Sequence, residues 1–491
     1  MIDTEALRKK VIDLAIQGKL TQQLPEDGNA EDLYVQIQEE KAKLVKEGKI
    51  KKDKTLTEIS NDEIPFEIPN NWRWVRIGDA TYNHGQKTPD KRFCYIDVGT
   101  LDNVNHKLND NENIIEAKDA PSRAKKIVKY DDVLYSTVRP YLHNICIVDK
   151  DFSCEPIAST AFAVMHTFDN CLLSRFLYYW LLSEWFDKYA NGDSSKGTLY
   201  PAIGEKDFFM GLVPLAPFEE QKRIVDVIDT VFVQLNVIDD LQQQYESDCE
   251  ILKGKIINAG IRGMLTDQLP EDGNAEDLYE QIQNDKALLI KEGKIKKEKN
   301  LPEISDDEIP FEIPNNWKWV RLGNYSQKIT DQVASGSFAS LRDNVPSLKE
   351  PSYAIMVKTA DFANGFSNNL TYTDKNGYEF LSNSNLFGGE LILSNIGSIG
   401  KCFIVPKLDK KMTLAPNSIM IRLTNEELRD YLYYFILSKQ GYLELDGIST
   451  GTAVKKFNKT DLKKILIPVP PLAEQTRIAS RIEEIFTLLG I

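Results

Sequence analysis

A chain of 491 residues, 42% of them apolar, is long enough to build more than one packed domain. Its net charge of -14 argues against an isolated, tightly binding nucleic-acid protein, which would be basic overall. Six cysteines without CxxC or knuckle spacing argue against a zinc site and fit reduced thiols in a cytoplasmic protein, and no run approaches the roughly 18 apolar residues of a membrane span.

In chain order, LRKKVIDLAIQGKLT from Leu7 reads as a short helix with Leu7, Val11 and Leu14 on one face. A linker follows, and Asn29 to Glu47 reads as a second helix with the stripe Leu33, Ile37 and Leu44. Trp72 and Trp74 open a WxWVR strand. Beyond it the short β-branched runs DVLYSTV (132–138), ICIVD (145–149) and AFAVMHT (161–167), with turn residues between them, predict a mixed α/β globule. An aromatic-rich helix from Ser174 closes it, and its Tyr and Trp residues at helical spacing read as core.

Pro214 and Pro217 then introduce a long helix that ends near Gly260 and Gly263. Its apolar seam is Ile224, Ile228, Val231, Leu235, Ile238, Tyr245, Cys249, Leu252 and Ile256, with Gln242 the polar member. Alternating spacings of four and three predict a coiled-coil helix of about 40 residues, roughly 60 Å long. The competing reading is an amphipathic helix on a domain surface.

From Leu265 the sequence repeats itself. Leu20 to Gly78 returns without a gap as Leu265 to Gly323, including QLPEDGNAEDLY, KEGKIKK and DEIPFEIPNNW, so that Trp317 and Trp319 match Trp72 and Trp74. Asn274 to Glu292 repeats the linker helix. A second strand series follows in ELILSNI (390–396), CFIVP (402–406) and SIMIRLT (418–424), with a second aromatic helix from Leu428. PVPPLAEQTRIASRIEEIF (468–486) resembles PLAPFEEQKRIVDVIDTVF (214–232), and the final helix carries Ile478, Ile482, Ile485 and Leu489. It breaks off at the counterpart of Leu235, near where Leu7 resumes. A period this long is not that of a solenoid. The pattern is a circularly permuted duplication that predicts a pseudo-twofold, mixed α/β molecule with an antiparallel helix pair. Its segments are 1–70, 71–217, 218–315, 316–471 and 472–491.

Catalytic signatures are missing. There is no GxxxxGKS/T loop, GxSxG elbow, HExxH pair, deaminase-like Cys and His set, or Asn/Asp-Pro-Pro-aromatic methyltransferase motif. All four histidines lie in the first half, so no duplicated constellation can be built on His. Neither catalysis nor a metal site is expected in this chain.

Two dissimilar α/β regions flanked by duplicated helical segments resemble the specificity subunit of type I restriction-modification enzymes. The carriers are APFEEQKRI (216–224), PPLAEQTRI (470–478), the WxWVRxG openings, DVLYSTVRPYL and LAIQGKLT. The resemblance implies two target-recognition domains, one for each half of a bipartite DNA site, and a coiled-coil spacer that docks two methyltransferase subunits, with ATP-driven restriction subunits joining that core. S-adenosylmethionine, ATP and Mg would belong to those partners, with no cofactor in this chain. One heptad added to both arms would lengthen the spacer by about 10.5 Å, about three base pairs.

Base edges are met by side chains on loops, Arg on guanine and Asn or Gln on adenine being favoured. In the first domain the candidates are Arg139, Tyr141 and Asn144 in STVRPYLHN, Lys196, Thr198 and Tyr200 in GDSSKGTLYP, and Gln86, Lys87 and Arg123. In the second they are Asn395, Ser398 and Lys401 in SNIGSIGK, Thr452, Lys455 and Lys456 in STGTAVKK, and Ser337. For any one of them the competing reading is an ordinary solvated loop residue. Two other functions remain open: a coiled-coil scaffold whose globules bind protein, and a stand-alone DNA-binding regulator.

Overall fold

The computed structural model describes the chain except for residues 52–55, 193–194, 197–200, 398 and 453 and the side chains of 195–196. It divides into two units, Met1–Gln243 and Gln244–Ile491. Each contains one linker, one α/β region and part of the long helix Phe218–Gly260. Among the described residues no helix is long and apolar enough to cross a membrane.

In the first unit the helices Thr4–Ile16 and Ala30–Lys46 start where short polar side chains cap them: Asp3 accepts from the Ala6 N–H and Asn29 from the Asp32 N–H. The α/β region is a closed insertion. Its opening strand Arg73–Arg76 pairs antiparallel with its closing strand Leu212–Leu215, Trp74 opposite Pro214. Two four-stranded sheets lie between. One is antiparallel, in the order Thr81–Tyr82, Phe162–Thr167, Val133–Ser136, Ile145–Ile147; the other holds a parallel pair, Phe93–Ile96 beside Glu155–Ser159. Tyr135, Ile145, Ala163 and Met165 of the first sheet share a core with Phe176, Leu177 and Trp180.

The second unit repeats the plan. Lys318–Arg321 pairs with Leu466–Val469, Trp319 opposite Pro468. Its antiparallel sheet runs Lys328–Asp331, Ser418–Arg422, Leu391–Ser394, Cys402–Ile404, and its other sheet has a parallel pair, Ala354–Val357 beside Lys411–Leu414.

The aromatic segments each form two helices, where the sequence predicts one. Ser174–Leu181 and Glu184–Asn191 are separated at Ser183, whose hydroxyl accepts the Phe186 N–H; Arg429–Leu437 and Lys439–Gly447 are separated at Ser438, which accepts the Gly441 N–H. A serine that bonds a following backbone N–H restarts the helix. Their aromatic residues Phe176, Tyr179, Trp180, Tyr431 and Phe435 are buried.

Along the predicted seam, Ile224, Ile228, Leu235 and Ile256 are buried and Val231 and Ile238 half-buried. In the first unit Arg8 reaches Asp239, and the Gln242 carboxamide accepts the Ile2 N–H, so the short N-terminal helix is fastened to the long one. In the second, Ile256 and Ile257 pack with Ile478, Ala479 and Ile482, and Ile485 lies against the same cluster. Tyr245, Leu252 and Leu489 are exposed and are not covered seam positions. Helices of 13 and 18 residues are too short to cover every turn of one of 43.

Candidate nucleic-acid interface

The near-identical linkers account for the repeated motifs. Glu220 and Glu474 are fully buried. Glu220 accepts from the Trp72 indole at 2.8 Å, the Gln23 amide at 2.8 Å and the Thr21 hydroxyl at 3.0 Å. Glu474 accepts in the same way from Trp317, Gln268 and Thr266. Arg223 and Arg477 pair with Asp27 and Asp272, and each guanidinium holds its partner carboxyl below the usual range. Arg76 and Arg321, both nearly buried, grip Glu63 and Glu308 of the linkers. The WxWVR and EQxRI signatures are therefore joints between linker, domain and helix.

On that frame each domain presents two adjoining loops. In the first, a hairpin links Val133–Ser136 to Ile145–Ile147 through a single 3-10 turn, Pro140–Leu142. Arg139 and His143, which flank the turn, both have left-handed backbones, φ 51° and 47°. The Arg139 N–H donates to the Pro201 carbonyl at 2.8 Å, and the Ile203 N–H to the Thr137 carbonyl at 2.9 Å. STVRPYLHN and the end of GDSSKGTLYP are thus one joined surface. His143 Nε2 lies 2.6 Å from Asp187 Oδ1, fixing the far side of the hairpin.

The second domain makes the same joint with other residues. The Gly397 N–H donates to the Lys455 carbonyl at 2.9 Å, and the Phe457 N–H to the Asn395 carbonyl at 3.1 Å. Gly397, at φ 81°, takes the place of Arg139. Ser136 and Ser394 each donate to the carbonyl two residues on, Val138 and Ile396. The backbone joint is shared and the side chains around it differ.

The individual candidates are placed as follows. Tyr141 is exposed at the tip of its hairpin and Arg139 half-exposed. Asn144 is 6% exposed and its carbonyl accepts the Ser136 N–H, so it closes the hairpin instead of projecting from it. Lys196 lies in the short strand Ser195–Lys196 paired with Ala202–Ile203, its side chain outside the description. Thr198, Tyr200 and Ser398 lie outside the described residues. Gln86 is exposed and bridges Lys126, whose ammonium pairs with Glu205, two residues beyond Ile203, so this edge connects to the joined loops. Lys87 pairs with Glu155 and Asp90, which raise its pKa and leave less of its charge for phosphate. Arg123, Lys401, Thr452 and Lys456 are exposed. Lys455 is held by Asp446, which raises its pKa. The Ser337 hydroxyl accepts the Ser340 N–H and caps the helix Phe338–Asn344. Asn395 donates to the Phe457 carbonyl, while its Oδ1 is buried without a hydrogen-bond partner among the described residues.

One cluster has no counterpart among the sequence candidates: His84, Asp132 and His166. Burial alone would push the Asp132 carboxyl up, but the two histidines overcome it and hold the carboxyl below its usual value. The residues are far apart in sequence, and only the strand pairing reveals them.

The model of the type I restriction modification DNA specificity domain matches residues 69–246 and 342–490, which span both hairpins. The chain belongs to that family. Type I specificity subunits to which it is similar include those of EcoEI and EcoAI from Escherichia coli, each 26% identical over 98% of this chain and 88% of the relative. That of HindI from Haemophilus influenzae is 24% identical over 82% of this chain and 90% of its own length. Among solved structures, a chain from work on assembly and conformational transition of the type I R-M system superposes with a TM-score of 0.61 at 23% identity, covering 87% of this chain and 93% of that one. The HsdS subunit of Thermoanaerobacter tengcongensis gives 0.51 at 23% identity, covering 87% and 92%. The type I specificity fold is thereby established for this chain.

Proposed function

We propose that this protein is the sequence-reading subunit of a type I restriction-modification complex, each α/β domain recognising one half of a bipartite, asymmetric DNA site. The observation that carries this reading is the joined loop pair: one backbone joint occurs in both domains with unlike side chains around it. Arg139, Tyr141 and Gln86 in the first domain, and Lys401, Thr452 and Lys456 in the second, are the exposed or half-exposed members best placed to meet DNA. Some will contact only phosphate and carry no sequence information.

In this reading the chain is itself non-catalytic. Two methyltransferase subunits and the restriction subunits dock on it in the cytoplasm and bring S-adenosylmethionine, ATP and Mg. The long helix and the shorter ones fastened to it act as a coiled-coil spacer, completed by circular permutation of the duplicated segments. An acidic chain suits a reader whose complex shares the task of neutralising phosphate. Methylome sequencing of a host expressing this chain with its neighbouring methyltransferase tests the proposal. A split N6-methyladenine motif should vanish when only this chain is deleted. Unchanged methylation would favour a scaffold or a stand-alone regulator.

A further inference from the structure

Asp132 and Glu390 occupy the same place in the two units. Each immediately precedes an inner strand of its antiparallel sheet, and the registers agree: Val133 faces Met165, and Leu391 faces Ile421. Each carboxylate folds back to accept main-chain N–H groups, from Lys129 at 2.7 Å, or from Phe387 at 3.0 Å and Gly388 at 2.9 Å. Both residues are buried, at 0% and 4% exposure. A buried carboxylate needs a compensating positive charge. In the second unit Arg422, the residue after Ile421, supplies it by donating to Glu390 at 2.8 and 3.2 Å.

In the first unit the residue after Met165 is His166, with Nδ1 2.6 Å from Asp132 Oδ1. His84 brings Nε2 to 3.1 Å from the same oxygen. Arg422 places two N–H groups of one guanidinium on a single Glu390 oxygen. In the first unit the two contacts on one oxygen come instead from separate imidazoles, and each imidazole offers a ring nitrogen that can ligate a metal, which a guanidinium cannot.

We propose that His84, Asp132 and His166 form a binding site for one divalent transition-metal cation of the zinc class, which supplies in the first unit the charge that Arg422 supplies in the second. The three ligand atoms lie within 4.8 Å of one another. Zinc sits about 2.0–2.2 Å from nitrogen and oxygen ligands, so tetrahedral neighbours are about 3.3 Å apart: the Asp132 oxygen, at 2.6 and 3.1 Å from the two ring nitrogens, withdraws on binding, and the ligand atoms adjust toward that spacing. Two imidazoles and a carboxylate suit zinc better than magnesium or calcium. The His166 side chain is 23% exposed, which gives a way in and room for water as a further ligand. The Lys129 N–H on the other Asp132 oxygen and the Tyr82 ring, edge-on to both imidazoles at 5.5 and 5.0 Å, hold the ligands in orientation.

The test is equilibrium dialysis of the chelator-stripped full chain against zinc chloride, read by elemental analysis, with cobalt(II) absorption as a second probe. About one zinc per chain is expected, with affinity reduced roughly tenfold or more in His84→Ala and in His166→Arg, and unchanged in His106→Ala. His166→Arg installs the arrangement of the second unit and should keep the fold, so zinc should raise the melting midpoint of the wild type but not of this variant. Absence of retained zinc in the wild type, or equal retention in His84→Ala and His166→Arg, overturns the proposal.

Discussion

The indole N–H of Trp72 donates to the buried carboxylate of Glu220 at 2.8 Å across 148 positions of sequence, and the pair fastens the first α/β domain to the long helix that follows it. Glu220 also holds Thr21 and Gln23, so one carboxylate joins linker, domain and helix. Glu220→Ala strands the buried Trp72 indole, at a cost of about 1–3 kcal/mol, while the exposed Gln23 amide keeps the Gly18 and Thr21 carbonyls. A loss of about 2 kcal/mol is expected, or roughly 4–8 °C in melting midpoint for a unit of this size. Glu474→Ala should cost about as much in the second unit. A shift within about 0.5 kcal/mol, the range of an ordinary surface change, would show that the joint is not structural.

Arg139 separates strain from recognition. Its left-handed backbone stands where the second domain has Gly397, and a bulky residue there is held against its preference. Arg139→Gly relieves that strain, because glycine adopts the conformation freely, and removes the side chain's own interaction; the two effects oppose, so the melting midpoint should change little. If the guanidinium reads a base edge, discrimination worth about 1–3 kcal/mol is lost, and methylation at the cognate motif should fall by about fivefold or more while Gly397→Ala lowers stability. Unaltered methylation in Arg139→Gly would remove this residue from the reading surface.

The duplication, the strand runs and the matched loops were legible because period, β-branching and turn chemistry are local properties of the chain. Where local patterns did not suffice, the reasons are specific. Ser183 and Ser438 divide the aromatic helices by bonding a backbone N–H that composition does not display. A heptad seam shows which face of a helix is apolar but not how far its partner extends, so Tyr245, Leu252 and Leu489 read as covered and are exposed. Asn144 has the right chemistry for adenine but closes its hairpin. His84, Asp132 and His166 meet only because Thr81–Tyr82 and Val133–Ser136 flank Phe162–Thr167 in one sheet.

Lys456 and Lys401 are exposed beside the second joined loop pair. Lys456→Ala should weaken DNA binding by the assembled complex about equally on cognate and unrelated duplexes, and reduce the slope of log affinity against log salt by about one. A loss confined to the cognate sequence would instead make Lys456 a base reader.

The linker ion pairs set an acid limit. Hydrogen bonds from Arg76, then from the Ser60 backbone, lower the Glu63 pKa to about 2. In the unfolded chain the group titrates near about 4.3. Its folded value is the lower one, so the stabilisation is fully present above the unfolded value and is lost as pH falls through the folded one. Arg223 and Arg477 depress Asp27 and Asp272 in the same direction. The melting midpoint should therefore be insensitive to these groups from neutral pH down to about 5 and fall between about 4.3 and 2. Glu63→Gln removes one contributor. Its midpoint should lie below the wild type at neutral pH, by a modest amount since the Glu63 side chain is 37% exposed, and the two should converge as pH approaches 2. Melting curves taken across this range check the sign: a difference that widens as pH falls would mean that Glu63 is not held in its charged form by Arg76.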